Sequence, residues 1–172
     1  MSTHAKPTDE EFLAFYRGEA HNLRGHSFQA VLDWPDDTWE QVHDFIQWVF
    51  PNDKPSAYNP TAPLLTPAII AAWPSDPLLS ANLDAAFARW LRFVGVERDP
   101  SGAFCFAESP NLGVWAHPNH NWLRITRVLT CLRLLGRRED ATRLLEFLEG
   151  VAARRFAISQ DTLSHWRAAA KS

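Results

Sequence analysis

The chain has 172 residues, of which 46% are hydrophobic and 22% are charged, and its formal net charge is −3. This length fits one domain with a sizeable buried core, and the composition is that of an ordinary soluble protein. No apolar run reaches the roughly 18 residues of a membrane span, and because the start MSTHAKPTDEEF is polar we expect no secretory signal.

We therefore expect a cytoplasmic protein whose two cysteines, Cys105 and Cys131, are reduced. The sequence has no C-x-x-C pair and no cysteine–histidine cluster with finger spacing, so we expect no metal site. It also has no glycine-rich phosphate loop, and we expect no cofactor. The sequence leaves the oligomeric state open.

Charge is distributed unevenly along the chain. Residues 1–119 contain seven basic and fifteen acidic residues, whereas residues 120–172 contain ten basic and five acidic residues. The simplest interpretation is that the two parts attract each other within one fold. The basic part lacks the lysine and arginine clusters with interleaved exposed aromatic residues of a nucleic-acid surface, so we expect no nucleic-acid partner.

Helix signals dominate the first half of the chain. Acidic residues at 9–11 precede FLAFY, where negative charge favours a helix N-terminus. A short apolar stretch, SFQAVLDW, follows at 27–34. Two aspartates at 36–37 then open a stronger helix, predicted over 38–50 and stopped by Pro51.

Two proline-containing pairs predict the next helices, after a loop-like segment at 51–65. A threonine–proline pair at 66–67 opens a short helix that ends at Trp73. An aspartate–proline pair at 76–77 opens a long helix to about Val94.

The remaining sequence predicts an irregular segment followed by helices to the end of the chain. Residues 96–118 are predicted to be irregular, and GAFCFA at 102–107 could form one short strand pair. Helices are predicted at about 119–135, 137–153 and 159–169.

These elements together predict an all-α fold class. We expect a single compact helical domain over residues 1–172, with its core at about 9–168 and about seven or eight helices.

The predicted helix at 38–50 supplies the first half of a candidate site. Its apolar residues cover one side at helical spacing. The polar residues that share the other side are Glu40, His43, Asp44 and Gln47. His43 and Gln47 are four residues apart and are expected to stack on one side. This face is either solvated or packed as a polar cluster against another element.

The predicted helix at 119–135 supplies the second half. Its expected solvent face consists of Thr126, Thr130 and Arg133. A different stripe, flanked by leucines that include Leu123, contains His120, Arg124, Arg127 and Cys131. We therefore expect both arginines to point into the protein or into a cleft, with Arg127 one turn deeper than Arg124. A buried guanidinium must be paired and hydrogen-bonded.

The polar faces of these two helices are expected to meet, since Asp44 and Glu40 are the best candidate partners for the arginines. The cluster then either holds the fold together by ion pairing or forms a ligand site. A helix N-terminus at His120 would also favour an anion. The candidate ligand-binding residues are His43, Asp44, Gln47, Asn59, His120, Asn121, Arg124 and Arg127.

Four motifs in this order resemble the opioid growth factor receptor family, including its short bacterial members. They are HDFIQWVFP (43–51), NPTAPLLT (59–66), FVGV (93–96) and HNWLRITRVL (120–129), within a resemblance that covers about residues 10–150. The resemblance implies an α-helical domain, and it supplies no catalytic mechanism that could be carried over. The animal member is described as an enkephalin-binding, nucleus-associated protein that restrains cell proliferation. Its C-terminal repeats and basic nuclear-import run have no counterpart here, so opioid-peptide binding is not carried over.

Two functional hypotheses follow, beside a purely structural interaction module. In the first, a non-enzymatic binding domain holds a small anionic ligand or a peptide carboxylate, with Arg124 and Arg127 as bidentate donors. In the alternative, an enzyme of unknown class uses His43 or His120 as its acid or base and an arginine as an anion clamp. No nucleophile motif supports the enzyme, and no catalytic residue is assigned.

Overall fold

The computed structural model describes residues 5–172 of the chain. Residues 1–4, where the predicted domain begins, lie outside the described residues. The chain divides into two compact units, Met1–Arg89 and Trp90–Ser172, with the boundary inside a long helix. The single domain therefore stays a prediction.

The first unit is helical, and several of its helices begin at capping residues visible in the sequence. Thr8 and Glu11 form a reciprocal capping box at the first helix, and Thr66 caps the helix that begins at Pro67, as predicted. The elements in order are α1 (Asp9–Tyr16), α2 (Phe28–Asp33), α3 (Asp36–Gln41), α4 (Ile46–Val49), α5 (Pro67–Ala72), a 3₁₀ turn (Trp73–Ser75) and the long helix α6 (Pro77–Val94).

Aromatic side chains form the core of the first unit around Tyr16. The ring of Tyr16 lies 4.7 Å from that of Phe28 and 4.9 Å from that of Trp73, measured between ring centroids. Its hydroxyl donates a hydrogen bond of 3.0 Å to the carbonyl of Val49. A buried tyrosine needs such a partner, and this one fastens α1 to α4.

The single helix predicted over 38–50 is wrong, because α3 and α4 are separated by a break. Val42 has extended backbone angles, with φ −86° and ψ 127°. The break places Trp39 and Phe45 together in the core, with 4.8 Å between their ring centroids. All six residues from 45 to 50 are buried, so α4 presents no exposed polar face.

The second unit contains one hairpin and a set of helices. Its elements are the end of α6, β1 (Val96–Arg98), β2 (Phe104–Phe106), α7 (Leu112–Trp115), α8 (His120–Leu134), α9 (Arg138–Phe147), a π-helical segment (Leu148–Ala152), α10 (Ala153–Phe156) and α11 (Gln160–Lys171). The antiparallel pairing of β1 with β2 confirms the short strand pair predicted near 102–107. The predicted helices at 119–135 and 159–169 are also present, as α8 and α11.

Helix α11 packs along α8 and is fastened to it by two side chains. The indole Nε1 of Trp166 donates to the carbonyl of Trp122 at 3.2 Å, and Nε of Arg133 donates to the carbonyl of Ala169 at 2.9 Å. Arg133 is therefore half-buried rather than part of an open solvent face.

The predicted all-α class is confirmed in its main feature, since helices dominate residues 5–172 and the two short strands form the sheet described above. There are more helical segments than the seven or eight expected, because one predicted helix is broken and short helices such as α7 had no signal. Within the described residues, no helix combines the length and apolar character needed to cross a membrane.

Candidate functional site

The predicted site residues of the α3–α4 region have different environments. His43 is exposed within the break, whereas Gln47 lies in α4 with only 8% of its surface exposed. The expected stacking of these two side chains on one helical face is therefore wrong. Among the described residues, no partner hydrogen-bonds to the buried Oε1 atom of Gln47.

Asn59 serves the local turn of the NPTAP segment. Its side-chain Oδ1 accepts hydrogen bonds from the backbone N–H and the hydroxyl of Thr61, at 3.3 and 2.9 Å. Asparagine favours such turns because its side chain can bond to the backbone two residues on. The predicted ligand-orienting role of Asn59 stays untested.

The N-terminus of α8 is built from three asparagine and arginine side chains. Asn119 caps the helix by accepting a 2.8 Å hydrogen bond from the N–H of Asn121. Asn121 is 2% exposed, and its Oδ1 accepts a 3.2 Å hydrogen bond from Nη1 of Arg124, which is 5% exposed. The inward direction expected for Arg124 is confirmed.

Arg127 does not lie deeper than Arg124, and that expectation is wrong. The exposed face of α8 is centred on Leu123, which is 63% exposed. At 3.6 residues per turn, Arg127 lies about 40° from Leu123 around the helix, and Arg124 lies about 100° away. Arg127 is consequently half-buried, although burial still lowers its pKa below the ordinary arginine value. Neither arginine is without a partner.

The predicted site residues fall into both units. His43, Asp44, Gln47 and Asn59 belong to the first unit, and His120, Asn121, Arg124 and Arg127 belong to the second. The predicted cleft between the two sets stays a prediction.

One predicted residue, Asp44, lines a surface pocket that lies wholly within the first unit. The pocket has a volume of about 560 Å³ and is lined by Asn22, Arg24, His26, Trp34, Thr38, Val42, Asp44 and Phe45. We call it the Arg24 pocket.

The loop before α2 positions the polar rim of the Arg24 pocket. His21 and Ser27 form an isolated antiparallel bridge that closes the loop. Asn22 is 7% exposed, and its Oδ1 accepts hydrogen bonds of 3.0 Å from the backbone N–H groups of Arg24 and His26. Because the backbone is fixed from inside, the side chains of Arg24 and His26 project from a defined turn.

Aromatic rings line the side of the pocket next to this rim. The ring centroid of Trp34 lies 5.0 Å from that of His26 and 5.6 Å from that of Phe45, in edge-to-face arrangements. Phe45 is 1% exposed, whereas Trp34 is half-buried and keeps part of its surface open. The pocket thus has an aromatic side able to contact an apolar group.

Arg24 gives the pocket a cationic group with N–H donors that are still available to a ligand. Its Nε donates to Oδ2 of Asp44 at 2.8 Å, while 73% of the Arg24 side chain is exposed. Within residues 5–172, its Nη1 and Nη2 atoms make no hydrogen bond or ion pair. Since a guanidinium carries five N–H donors in a fixed fork, this edge can still receive a carboxylate.

Comparison with known proteins identifies the family. The model of the opioid growth factor receptor (OGFr) conserved region matches residues 5–171. The chain belongs to the opioid growth factor receptor family. It is 32% identical over 143 residues to the opioid growth factor receptor of Mus musculus, covering 78% of this chain and 22% of the relative. The corresponding Homo sapiens protein is 31% identical over 158 residues, covering 86% and 23%.

The chain therefore spans less than a quarter of the length of these two OGFr relatives. No solved structure matches the chain. The family match confirms the resemblance based on the four sequence motifs.

In this member of the OGFr family, sequence reasoning missed most of the Arg24 pocket. Asn22, Arg24 and His26 lie in a short turn without helical periodicity, and their only local signal was the Arg–Gly–His sequence between two apolar stretches. Trp34 was included in an apolar stretch, so its half-exposed position carried no signal.

Proposed function

We propose that this OGFr-family chain is a non-enzymatic binding domain that recognises a peptide carboxylate at the Arg24 pocket. The observation that carries the proposal is the exposed guanidinium edge of Arg24 beside the half-open ring of Trp34. The proposal keeps the ligand class expected from the sequence. It assigns the principal hydrogen bonds to the ligand carboxylate to Arg24 instead of to the arginines of α8.

The burial of the α8 arginines supports this choice. Arg124 is 5% exposed and already donates to Asn121, so a ligand would have to displace an existing arrangement. Arg24 needs no such displacement, because Asp44 engages only its Nε atom. Asp44 also orients the guanidinium and so lowers the entropy lost when a carboxylate binds.

The groups that line the pocket favour a chain-terminal carboxylate next to an apolar side chain. A carboxylate can accept two parallel hydrogen bonds from the guanidinium, and the neighbouring leucine or phenylalanine can then cover Trp34. The name of the curated relatives describes a receptor for an opioid growth factor, and this supports a peptide as the ligand. One charged pair and one apolar contact at an open surface support modest affinity.

Isothermal titration calorimetry with short peptides tests the proposal. We expect peptides that end in leucine with a free carboxylate to bind, and the C-amidated versions to bind about tenfold more weakly, a difference of about 1.4 kcal/mol. Arg24→Gln should cause a similar loss.

Lys54→Gln is the matched control, because Lys54 is an exposed cation of the same unit outside the pocket. It should leave the affinity unchanged. Equal binding of the acid and the amide, or full binding by Arg24→Gln, would exclude the proposed role of Arg24.

A further inference from the structure

A second pocket lies on the second unit, between the β-hairpin and one face of α9. Its volume is about 570 Å³. The lining residues that matter for its chemistry are Phe104, Glu139, Arg143, Glu146, Phe147 and Val151. We call it the Glu146 groove, and none of its residues belongs to the Arg24 pocket.

Apolar side chains form the floor and one edge of the Glu146 groove. Phe104 and Phe147 are 4% and 3% exposed and close the floor, whereas Val151 remains 42% exposed at the edge. Val151 lies in the π-helical segment that follows α9. Val151 follows Phe147 by four residues, so the two side chains lie on the same side of the helical segment and together extend the apolar surface of the groove.

The arginine of the groove is already occupied by its neighbours. Nε and Nη2 of Arg143 donate to Oε1 of Glu139 at 3.1 and 2.7 Å. Its Nη1 donates to the carbonyl of Gly102 at 3.0 Å, at the tip of the hairpin. Arg143 and Glu139 therefore neutralise each other, and the pair fixes one wall of the groove.

Glu146 supplies the remaining charge. It is exposed, and the part of the chain that the structure describes offers it no hydrogen bond or ion pair. Among the charged residues that line the groove, one negative charge is thus left uncompensated next to an apolar floor.

We propose that the Glu146 groove binds an arginine or lysine side chain presented by a partner protein. Such a side chain has a long apolar stem and a cationic head, and it can bury the stem while its head pairs with a carboxylate. The stem would lie against Val151 and the phenylalanine floor, with the head at Glu146. An anionic side chain would be repelled by Glu146, and a purely apolar side chain would leave the Glu146 carboxylate without an ion-pair partner.

Nuclear magnetic resonance titration with an N-acetylated, C-amidated peptide, Gly-Leu-Arg-Leu-Gly, tests the proposal. The peptide has no free carboxylate, so its binding does not depend on the function proposed for the Arg24 pocket. We expect shifts at the methyl groups of Val151 and the backbone amide of Glu146. The same peptide with glutamate in place of arginine should produce none.

Glu146→Gln should weaken the binding of the arginine peptide about threefold to fivefold, the size expected when an exposed ion pair is lost. Glu108→Gln is the matched control, because Glu108 is also exposed in the second unit but lies outside the groove, and it should bind like the parent. A thermal melt of each variant verifies that it is folded.

Three outcomes would overturn the proposal. One is the absence of shifts at Val151 at millimolar arginine peptide, and another is equal affinity in the parent and Glu146→Gln. The third is sedimentation showing that the groove is covered by a second copy of the chain, with a dimer that Val151→Asp dissociates.

Discussion

Two arginines of α8, three residues apart, differ in how deeply their side chains are buried. They should therefore differ in how much each contributes to the free energy of unfolding. Arg124 is 5% exposed and donates to the buried amide of Asn121, while Arg127 lies nearer the exposed face and is half-buried. Removing a buried guanidinium leaves its partners unsatisfied, and these cannot easily be reached by water.

Arg124→Ala should therefore lower the free energy of unfolding by about 2 kcal/mol, because it leaves the buried amide oxygen of Asn121 without its hydrogen bond from Arg124. Arg127→Ala should lower the free energy of unfolding by less, because water can replace part of the hydrogen bonding that the arginine made. Urea unfolding of both variants, followed by circular dichroism, compares the two costs. A larger cost for Arg127 would show that its exposed fraction understates its structural role.

Asp76 combines a helix cap with an ion pair in the first unit. Its carboxylate accepts from the backbone N–H groups of Leu78 and Leu79, and Nε of Arg17 donates to it at 2.8 Å. The hydrogen bond from Arg17 is the main reason why the pKa of Asp76 lies below its ordinary value.

The stabilisation from Asp76 should depend on pH in a defined direction. A lowered folded-state pKa contributes stability that is fully present above the unfolded pKa of about 3.9 and is lost as pH falls through the folded-state value. Asp76→Asn keeps a capping oxygen but loses the charge, so it should be less stable than the parent at neutral pH. This difference should shrink in strong acid.

Urea unfolding at neutral pH and at about pH 3 measures this change. Asp53→Asn is the control, since Asp53 is exposed and makes no hydrogen bond or ion pair with the described residues. Its difference from the parent should vary little with pH. A deficit of Asp76→Asn that stays constant with pH would contradict the role of the Arg17 pair.

At the scale of elements, local sequence signals located helix starts well. Each of these signals lies within one turn of the helix that it starts: the proline-containing pairs at 66–67 and 76–77, and the capping residue Asn119. These helix starts can therefore be predicted without knowledge of distant contacts. The break before Phe45 had no such signal. It depends on packing between Trp39 and Phe45, which helical periodicity alone does not reveal.

The turn from α6 into β1 requires glycine for two reasons. Gly95 has a φ of +70°, and a Cβ atom there would lie 2.6 Å from Cα of Pro110 and 2.8 Å from N of Asn111. Both neighbours are backbone atoms of the segment that leads into α7, so neither can move as a flexible side chain would.

Gly95→Ala should therefore destabilise the protein by about 3 kcal/mol or more, from backbone strain together with the steric clash. Gly136→Ala is a matched control, because Gly136 has a φ of +83° with no heavy atom within 4 Å of the added Cβ. It should cost only about 1 kcal/mol. Thermal and urea unfolding compare the two variants, and equal costs would show that the contact with Pro110 relaxes freely.

At the scale of the whole chain, the fold class followed from periodicity, but the Arg24 pocket did not. Its rim comes from the turn at 22–26, and its aromatic side comes from Trp34 and Phe45. These residues are separated along the sequence and meet only through the turn before α2 and the break after α3. Neither feature has a helical period, so sequence analysis identified Asp44 and missed the rest.

The direct test of the proposed function is a resonance-level titration of the ¹⁵N-labelled chain with a leucine-terminated peptide. The Arg24 side-chain Nε–H and the Trp34 indole N–H report on the two groups that should touch the ligand. We predict that both shift with a common saturation curve, while the resonances of Asn121 and Arg124 stay unchanged. Shifts at Asn121 and Arg124, with Arg24 and Trp34 unchanged, would contradict binding at the Arg24 pocket.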